Sequence, residues 1–374
     1  MRMPSVAPAG AGAVLAIDLD AIAGNWRRLR DHAQRAGHAV ACAAAVKADG
    51  YGLGAVPVAQ ALAQAGCTSF FVANLDEAVV LRQALPDQRI LVLHGALPGT
   101  ERDLAAHGLT PVLNTPGDIA RWGSYAAALG RPLPALVHID TGMNRLGLEV
   151  RDVDALAAAP SLLDGLDIQG WMSHLASADV AGDGFALEQD ARLRGHLARL
   201  PRAPVSLAAS SGIFRDDRLL HDMVRPGAAL YGINPTPEAD NPMAPVVRLL
   251  GRVLQVRDVA AGASVGYGAT YHTPHAARLA TIAAGYADGY PWALGSSGHV
   301  VIAGVRAPVV GRISMDLLTV DVSRVPPAAL EGETFAELIG PGRPLDDLAA
   351  DAGTIGYEIL TGLGRRYHRV YQGS

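Results

Sequence analysis

A lysine, Lys47, ends an apolar run over residues 40–46 and begins the segment VKADGYG at 46–52, in which Tyr51 lies four places further on. The run predicts a buried strand, and the glycines after it predict a turn. Partial burial at the end of a strand lowers the pKa of an ammonium from about 10.4 toward neutrality, which makes the free amine available for chemistry. Taken alone, the segment also fits a surface lysine that follows a strand.

Polar residues follow several other apolar runs. Arg145 and His174 come after two of them, and Arg225 leads into another. Ser210, Ser211 and Gly212 follow one of these runs, and Pro226 and Gly227 come directly after Arg225. Such loops bind phosphate in barrel enzymes, although serine and glycine also form ordinary turns. A lysine beside a phosphate site indicates either a Schiff-base aldolase acting on a sugar phosphate or a lysine that holds pyridoxal 5′-phosphate, and spacing alone leaves both open.

The elements that position these residues alternate between two patterns. Eight mostly apolar runs have the length of strands: 40–46, 69–73, 89–93, 109–113, 135–139, 167–172, 204–208 and 223–230. Helical spacing occurs between them: 55–65, 75–85, 101–107, 117–129, 151–158 and 185–200. Buried strands that alternate with helices predict a parallel (β/α)8 TIM barrel, which we place at 15–240 after a flexible tail at 1–14. The residues after each strand then line one mouth of the barrel.

The pattern changes after residue 240. Short β-type runs separated by turn signals predict a mostly β C-terminal domain over 241–374, so that the fold class is α/β plus β. These runs are 246–256, 279–284, 299–301 and 317–322. Tyr267 and Tyr286 lie there in turns flanked by glycine. A tyrosine in such a turn is often only a packed aromatic side chain.

Composition restricts the classes of partner and compartment. Lysine and arginine number 31 against 36 acidic residues, a net charge of −5 without blocks of one sign, which argues against binding to nucleic acid. No apolar run approaches the roughly 18 residues needed to cross a membrane. The two cysteines, Cys42 and Cys67, have a spacing unlike that of metal or redox pairs, so we expect no metal site and a reducing, cytoplasmic location. Residues 1–12 lack the features of a signal peptide.

The motifs as a set resemble those of the alanine racemases, and the likeness covers nearly all of the chain after the tail. Beside VKADGYG, the barrel part contains HIDTGMNRLG (138–147), WMSHLASAD (171–179), LAASSGIF (207–214) and VRPGAALYG (224–232). The C-terminal part contains VGYGATY (265–271), GYADGY (285–290), GRISMD (311–316) and GTIGYEIL (353–360). The resemblance implies an isomerase that binds pyridoxal 5′-phosphate and interconverts L-alanine and D-alanine through an external aldimine, supplying D-alanine for peptidoglycan.

The resemblance also implies how the cofactor is held. Lys47 would carry it covalently and would then be free to act as a base. Contacts to its phosphate are implied for Tyr51, Ser210, Gly227 and Tyr357. Arg225 would face the pyridine nitrogen, with His174 against the ring and hydrogen-bonded toward Arg225. Arg145 would approach the phenolic oxygen of the cofactor and the substrate.

Racemisation requires a base on each face of Cα, and the resemblance implies Tyr267 as the second base. Lys47 would act on D-alanine and Tyr267 on L-alanine. A tyrosine with a pKa of about 10 requires nearby cations to act at neutral pH, and His174 and Arg225 are the candidates.

In the family the second base comes from the partner subunit, together with Met315 and Tyr286, which contact the substrate and narrow the entrance. The resemblance therefore implies a homodimer with shared active sites, and dimerisation becomes a catalytic requirement.

One position departs from the family pattern. Many relatives have a carbamylated lysine two residues before the DTG motif, where this chain has His138. A neutral imidazole cannot supply the negative charge that orients the arginine. We expect a chloride, a water or another group beside Arg145.

Three alternatives stay open. A broader amino-acid racemase of the same fold could act on serine, but the entrance narrowed by Tyr267 and Tyr286 favours alanine. A basic amino-acid decarboxylase shares the barrel and cofactor, but its cysteine-bearing active-site loop is not evident in the C-terminal part. A non-catalytic protein that binds pyridoxal phosphate would resemble the barrel half only.

Overall fold

The computed structural model describes residues 10–35 and 39–373. It divides the chain into two compact units, one formed by Ile22–Ala244 and the other by the chain up to Ala21 together with Pro245–Ser374. The compact unit that contains the barrel thus spans 22–244, where the sequence placed the barrel at 15–240. Most of the expected tail, residues 1–9, lies outside the described residues. Its last two residues, Ala13 and Val14, belong to a strand.

The Ile22–Ala244 unit is a closed parallel barrel, as predicted. Its strands are Ala41–Cys42, Ala44–Ala45, Ser69–Val72, Arg89–Val92, Thr110–Leu113, Leu133–His138, Leu166–Met172, Val205–Ser206 and Met223–Val224. The first two are halves of a single strand, since only Ala43 separates them. One half pairs with Met223–Val224 and the other with Ser69–Val72, so the sheet closes on itself.

Helices cover the barrel and follow the predicted alternation. The longer ones are Leu19–Gln34, Ala55–Gln64, Leu75–Ala84, Pro116–Leu129, Val150–Ala158 and Phe185–Leu197, and shorter ones are Glu101–Ala106 and Ser210–Arg215. The segment Lys47–Tyr51 is a left-handed turn and not a regular helix. Local sequence sets their starts. Asn74 caps Leu75–Ala84 by accepting a hydrogen bond from Glu77 N, and Thr115 and Asp118 form a capping box before Pro116–Leu129.

The barrel core explains why its strands are continuously apolar. Phe70, Phe71, Ile90 and Leu91 are all buried, although successive side chains of a strand point to opposite faces. One face of the strand contacts the barrel interior and the other contacts the helices, so neither face can be polar. The last strand is shorter than the predicted 223–230, because Pro226 lacks an N–H for the ladder. A 3-10 turn, Ala228–Tyr231, takes its place.

The other unit is mostly β, as predicted. Its strands are Ala13–Asp18, Val247–Val259, Ser264–Val265, Tyr271–His272, Ala277–Ile282, His299–Ile302, Val305–Pro308, Leu318–Asp321, Phe335–Ile339 and His368–Gln372, with helices Leu345–Asp351 and Gly356–Gly362. Ala13–Asp18 pairs antiparallel with Val247–Val259 and parallel with His368–Gln372. The strands at 305–308, 335–339 and 368–372 were not predicted, because charged residues interrupt these short runs. In the described part of the chain, no helix is long and apolar enough to cross a membrane.

Candidate functional site

Lys47 lies where the first barrel strand ends, in a short left-handed turn. The preceding residue, Val46, still donates its N–H to Phe71 O of the next strand at 2.9 Å. From Ala48 to Gly52 every φ is positive, between 53° and 82°. Such a conformation costs about 1–2 kcal/mol for each L-residue that adopts it, so surrounding contacts must hold the turn in place.

The Lys47 amine has a lowered pKa, which is the direction expected from the sequence. Burial is the largest cause, followed by the positive charge of Arg145. The carboxylate of Glu77 opposes the shift, and Arg225 adds to it. The amine is therefore more readily deprotonated than that of an exposed lysine, as a nucleophile or base requires.

Arg225 is a buried cation whose hydrogen-bond partners in the described part of the chain are all neutral. Its Nη1 donates to Ser206 Oγ at 2.5 Å, and its Nη2 donates to Ser173 O at 2.7 Å. Burial lowers the pKa of Arg225 to about 10, so the guanidinium stays charged at neutral pH. These contacts fix the plane of the group and leave its charge uncompensated, a suitable partner for an acceptor nitrogen or an anion.

His174 follows the strand Leu166–Met172 and packs against Arg225. Its Nδ1 accepts a hydrogen bond from Arg225 Nη2 at 3.3 Å. Burial, together with the charges of Arg225 and Arg145, lowers the pKa of His174 to about 3. The imidazole is thus neutral at neutral pH. The expectation that His174 provides a cation to activate a tyrosine is therefore wrong, and Arg225 is left as the charged candidate.

Backbone donors and hydroxyl groups converge near the ends of the last two barrel strands. Ser210 Oγ accepts hydrogen bonds from Gly227 N at 3.0 Å and Ala229 N at 3.1 Å. A Cβ at Gly227 would lie 2.3 Å from the hydroxyl oxygen of Tyr51, so only glycine fits. The Tyr51 ring stacks on Tyr231 with 4.5 Å between centroids. A phosphate accepts hydrogen bonds from this type of donor set.

His138 is held by an asparagine that sequence reasoning did not identify. Its Nδ1 lies 2.9 Å from Asn114 Oδ1, while Asn114 Nδ2 donates to Leu93 O and Val112 O. Since the amide oxygen can only accept, His138 must donate from Nδ1, which leaves Nε2 as an acceptor. Burial is the largest cause that lowers the pKa of His138 to about 4. The residue is neutral, as expected.

Arg145 is exposed, in the loop after the strand Leu133–His138. Asp140 organises this loop, because its Oδ1 accepts hydrogen bonds from Gly142 N and Met143 N, each at 2.9 Å. The positive charge of Arg145 lowers the pKa values of Lys47, His138 and His174. The arginine therefore lies near the same mouth of the barrel.

The remaining predicted site residues belong to the other unit. Their exposed fractions are 73% for Tyr267, 53% for Met315, 44% for Tyr286 and 38% for Tyr357. Tyr286 N donates to Ser314 O at 3.1 Å, and a Cβ at Gly311 would lie 2.7 Å from Val265 O. The backbone of 311–315 thus lies beside both tyrosine turns, and Tyr267, Tyr286 and Met315 are exposed there together with the charged Arg312.

The barrel residues fit the expected pyridoxal phosphate by their chemistry. They are Lys47, Tyr51, Arg145, His174, Ser210, Arg225 and Gly227, and all follow the carboxyl ends of barrel strands. They combine an available amine, a buried cation and a set of hydroxyl and backbone donors. Within 10–35 and 39–373, no group of three or more His, Cys, Asp or Glu side chains is placed to hold a metal ion.

Two residues at this mouth were missed. Asn114 directly follows the strand Thr110–Leu113, so the rule that located Lys47 and His174 could also have located it. Glu77 lies in a helix, Leu75–Ala84, and reaches back to the ends of two strands. No local sequence signal distinguishes Glu77 from an ordinary acidic residue in the first turn of a helix.

Family models cover both parts of the chain. The model described as alanine racemase, N-terminal domain, matches residues 17–235, and that of the alanine racemase C-terminal domain matches 246–371. Among curated proteins, a catabolic alanine racemase of Mesorhizobium japonicum is 49% identical over 371 residues, which is 98% of this chain and 95% of that protein. An alanine racemase of Methylobacterium nodulans is 49% identical over 360 residues, 96% of each chain.

Solved structures show the same similarity. Alanine racemase from Bartonella henselae, with covalently bound pyridoxal phosphate, superposes with a TM-score of 0.91 at 39% identity, covering 97% of this chain and 100% of that one. The enzyme from Streptomyces coelicolor gives a TM-score of 0.89 at 35% identity, covering 97% and 98%.

Proposed function

Because this chain belongs to the alanine racemase family, we propose that it interconverts L-alanine and D-alanine with pyridoxal 5′-phosphate held at the barrel mouth. The observation that carries the proposal is Lys47, an amine of lowered pKa at the end of the first barrel strand. The buried charge of Arg225 lies near enough to contribute to that shift.

When bound, pyridoxal phosphate supplies an electron sink that makes the hydrogen on the substrate Cα acidic. Lys47 holds the group and then takes or returns the Cα proton on one face, as its lowered pKa permits. Ser210, Gly227 and Tyr51 bind and orient the phosphate without taking part in proton transfer. Tyr357 is proposed as a fourth phosphate contact.

Arg225 and His174 would control the charge of the cofactor's pyridine ring. The buried guanidinium of Arg225 donates hydrogen bonds and cannot accept one, so a nitrogen facing it stays unprotonated. Neutral His174 accepts from Arg225 and presents its ring as an apolar wall. An unprotonated pyridine nitrogen withdraws electrons less strongly than a protonated one. The arrangement would therefore favour return of the proton to Cα over side reactions.

The second base is Tyr267 of the partner subunit. The exposure of three large apolar side chains, those of Tyr267, Tyr286 and Met315, supports a homodimer, since exposed apolar side chains of this size mark interaction sites. In the dimer, Tyr286 and Met315 of the partner subunit would narrow the entrance and contact the substrate carboxylate. Lys47 would act on D-alanine and Tyr267 of the partner subunit on L-alanine.

The space beside Arg145 is proposed to hold a chloride or a water in place of a carbamylated lysine. The support is the neutral state of His138, which offers only an acceptor at Nε2 and no negative charge. A crystal structure at high resolution with nothing ordered beside a mobile Arg145 would contradict this assignment.

The protein is proposed to act in the cytoplasm. The support is the state of its two cysteines, since Cys42 and Cys67 are both free and burial raises the pKa of Cys67 to about 12. Inert, buried thiols suit a reducing compartment.

The activity is tested with the purified protein and a Lys47→Ala variant. We expect an absorbance band from bound cofactor that the variant lacks, and loss of circular dichroism of L-alanine well ahead of L-serine. Equal rates on the two amino acids would favour the broader racemase. A cofactor band without loss of the circular dichroism of either L-alanine or L-serine would reject racemisation. The remaining hypotheses would then be a non-catalytic binding protein and a decarboxylase.

The proposed supply of D-alanine for peptidoglycan has a separate test. The chain, but not Lys47→Ala, should restore growth of a bacterium that requires added D-alanine. Absence of growth, with the protein present at normal level, would contradict this role.

A further inference from the structure

We propose that Glu77 is a positioning residue for Lys47: its carboxylate bridges the ends of the first two barrel strands and holds the left-handed turn that presents the lysine. The inference rests on the function proposed for Lys47 and adds a residue that none of the motifs contains.

The bridge consists of two charge-assisted hydrogen bonds. Glu77 Oε1 accepts from Ala48 N at 2.7 Å, and Oε2 accepts from Ala73 N at 2.7 Å. Ala48 directly follows Lys47, and Ala73 directly follows the strand Ser69–Val72. One side chain therefore ties the turn that follows the first barrel strand to the first residue beyond the neighbouring parallel strand.

The turn needs such a tie because its backbone is unfavourable. Ala48, Asp49 and Tyr51 have φ of 53°, 53° and 54°, a region that side chains with a Cβ disfavour. Asp49 stabilises the later part of the turn, because its Oδ1 accepts a hydrogen bond from Ala55 N at 2.9 Å. Glu77 acts at the start of the turn, where a change in backbone conformation would redirect the Lys47 side chain.

Glu77 is itself held in place from its own helix. Asn74 caps Leu75–Ala84 and accepts a hydrogen bond from Glu77 N at 3.0 Å. The cap fixes the backbone of Glu77, and partial burial restricts the conformations that its side chain can adopt. Both effects favour the conformation in which the carboxylate bridges the two strand ends. Its negative charge also acts on Lys47 in the direction opposite to Arg145 and Arg225. Glu77 thus affects both the position and the charge of the lysine.

The test compares Glu77→Gln and Glu77→Asp with the wild-type full chain, carrying its cofactor. The control is Asp76→Asn, which removes an exposed charge from the preceding position of the same helix. Amide hydrogen exchange is followed in peptides that cover 46–53 and 69–77. Each variant keeps an acceptor for one of the two N–H groups and cannot bridge both. We therefore expect exchange of at least one of the Ala48 and Ala73 amides to become about tenfold faster or more in each Glu77 variant and to stay unchanged in the control.

A second readout separates the position of Lys47 from its charge. Glu77→Gln removes the charge that favours the ammonium, so the acid limb of the kcat profile for D-alanine should move to lower pH. Glu77→Asp keeps the charge but is too short to bridge both strands. Its kcat should fall by about tenfold or more with little shift of the limb.

Unchanged exchange at both Ala48 and Ala73 in the two Glu77 variants would overturn the proposal. A loss of kcat in Glu77→Asp no larger than that in Asp76→Asn would also overturn it. Should Glu77→Gln not fold, Glu77→Asp alone decides through exchange and kcat. The exchange result does not depend on racemisation, so failure of this proposal is distinguishable from failure of the proposed function.

Discussion

At the scale of single residues, burial sets the charges at the barrel mouth more than ion pairing does. It is the largest cause of the lowered pKa values of Lys47, His138, His174 and Arg225. Arg225 stays charged at neutral pH, because even a lowered guanidinium pKa of about 10 lies well above it. The site thus combines two arginine cations, the buried Arg225 and the exposed Arg145, with neutral histidines and a lysine whose pKa is lowered.

Ser210 offers a prediction at this scale. Ser210→Ala would leave the buried N–H groups of Gly227 and Ala229 without their acceptor. We expect the free energy of unfolding to fall by about 1–3 kcal/mol and the affinity for pyridoxal phosphate to fall with it. Urea unfolding and cofactor titration measure the two effects. Ser211→Ala, next in the chain, is the matched control, and equal effects of both variants would contradict this role.

At the scale of elements, carboxylates close the loops that carry the site. Glu77 bridges two strand ends, Asp118 accepts from Asn114 N and Thr115 N, and Asp140 accepts from the loop that precedes Arg145. In each case an acidic side chain accepts hydrogen bonds from backbone N–H groups that the ladder of parallel strands no longer pairs. Loop geometry at the barrel mouth is therefore determined by these side chains together with the strands.

Asp140 provides the prediction for an element. Asp140→Ala removes the acceptor of the N–H groups of Gly142 and Met143 and frees the loop that carries Arg145. We expect kcat/KM for alanine to fall by about tenfold or more, with part of the loss in KM.

Steady-state kinetics check this expectation against Asp154→Asn. That control removes an exposed ion pair with Arg199, and exposed pairs contribute about 0–1 kcal/mol. A variant of Asp140 with normal KM and kcat would show that the loop needs no such support.

At the scale of the whole molecule, the proposed second base lies on an exposed surface of the unit that does not contain Lys47. Tyr267 is 73% exposed, which is unusual for a catalytic residue within a single subunit. Trp292 and Ile355 of the same unit are also exposed, by 57% and 60%, and exposed apolar side chains of this size mark interaction sites such as the contact with a second copy of the chain. The site would then be complete only in the dimer.

Mixed dimers test this directly. Lys47→Ala and Tyr267→Phe subunits should each be inactive alone, but in a mixed dimer one of the two sites keeps both bases. Random mixing would restore about a quarter of the wild-type activity, since about half of the dimers are mixed and each has one intact site. Circular dichroism of L-alanine after co-expression measures the recovery. Failure to recover activity, with dimers confirmed by size, would place both bases in one subunit.

Acid stability is a second property of the whole molecule. The pKa values of His138, His174 and His299 are lowered from 6.5 to about 4, 3 and 4, mainly by burial. Below about pH 6.5 the unfolded chain binds protons at these positions and the folded protein does not. The free energy of unfolding should therefore fall as the pH drops from about 6.5 to about 4.

Urea midpoints at about pH 7.5 and pH 5 check this sign. His138→Gln should reduce the loss of stability on acidification, because one buried group no longer titrates. His272→Gln, an exposed position, should not. A loss of stability on acidification that His138→Gln leaves unchanged would reject the contribution of His138.

The sequence alone determined the barrel and located most of the residues that lie at its mouth. Strands buried on both faces produce continuous apolar runs, and parallel strands place their carboxyl ends at one edge, so the residues after each run can be predicted to meet. Lys47, Ser210 and Arg225 were located in this way, and the motifs identified the family. Local sequence patterns are sufficient to predict a feature when its physical cause, such as burial of both faces of a strand, also acts locally.

Only the tertiary structure decided features that depend on distant segments. Ala13–Asp18 joins the mostly β unit because its pairing partners lie at 247–251 and 368–372. His174 proved neutral because burial and two arginines from other loops act on it. Glu77 reaches the Lys47 turn across 29 positions of sequence, a contact that no spacing predicts. Burial and long-range hydrogen bonds exist only once the barrel has closed.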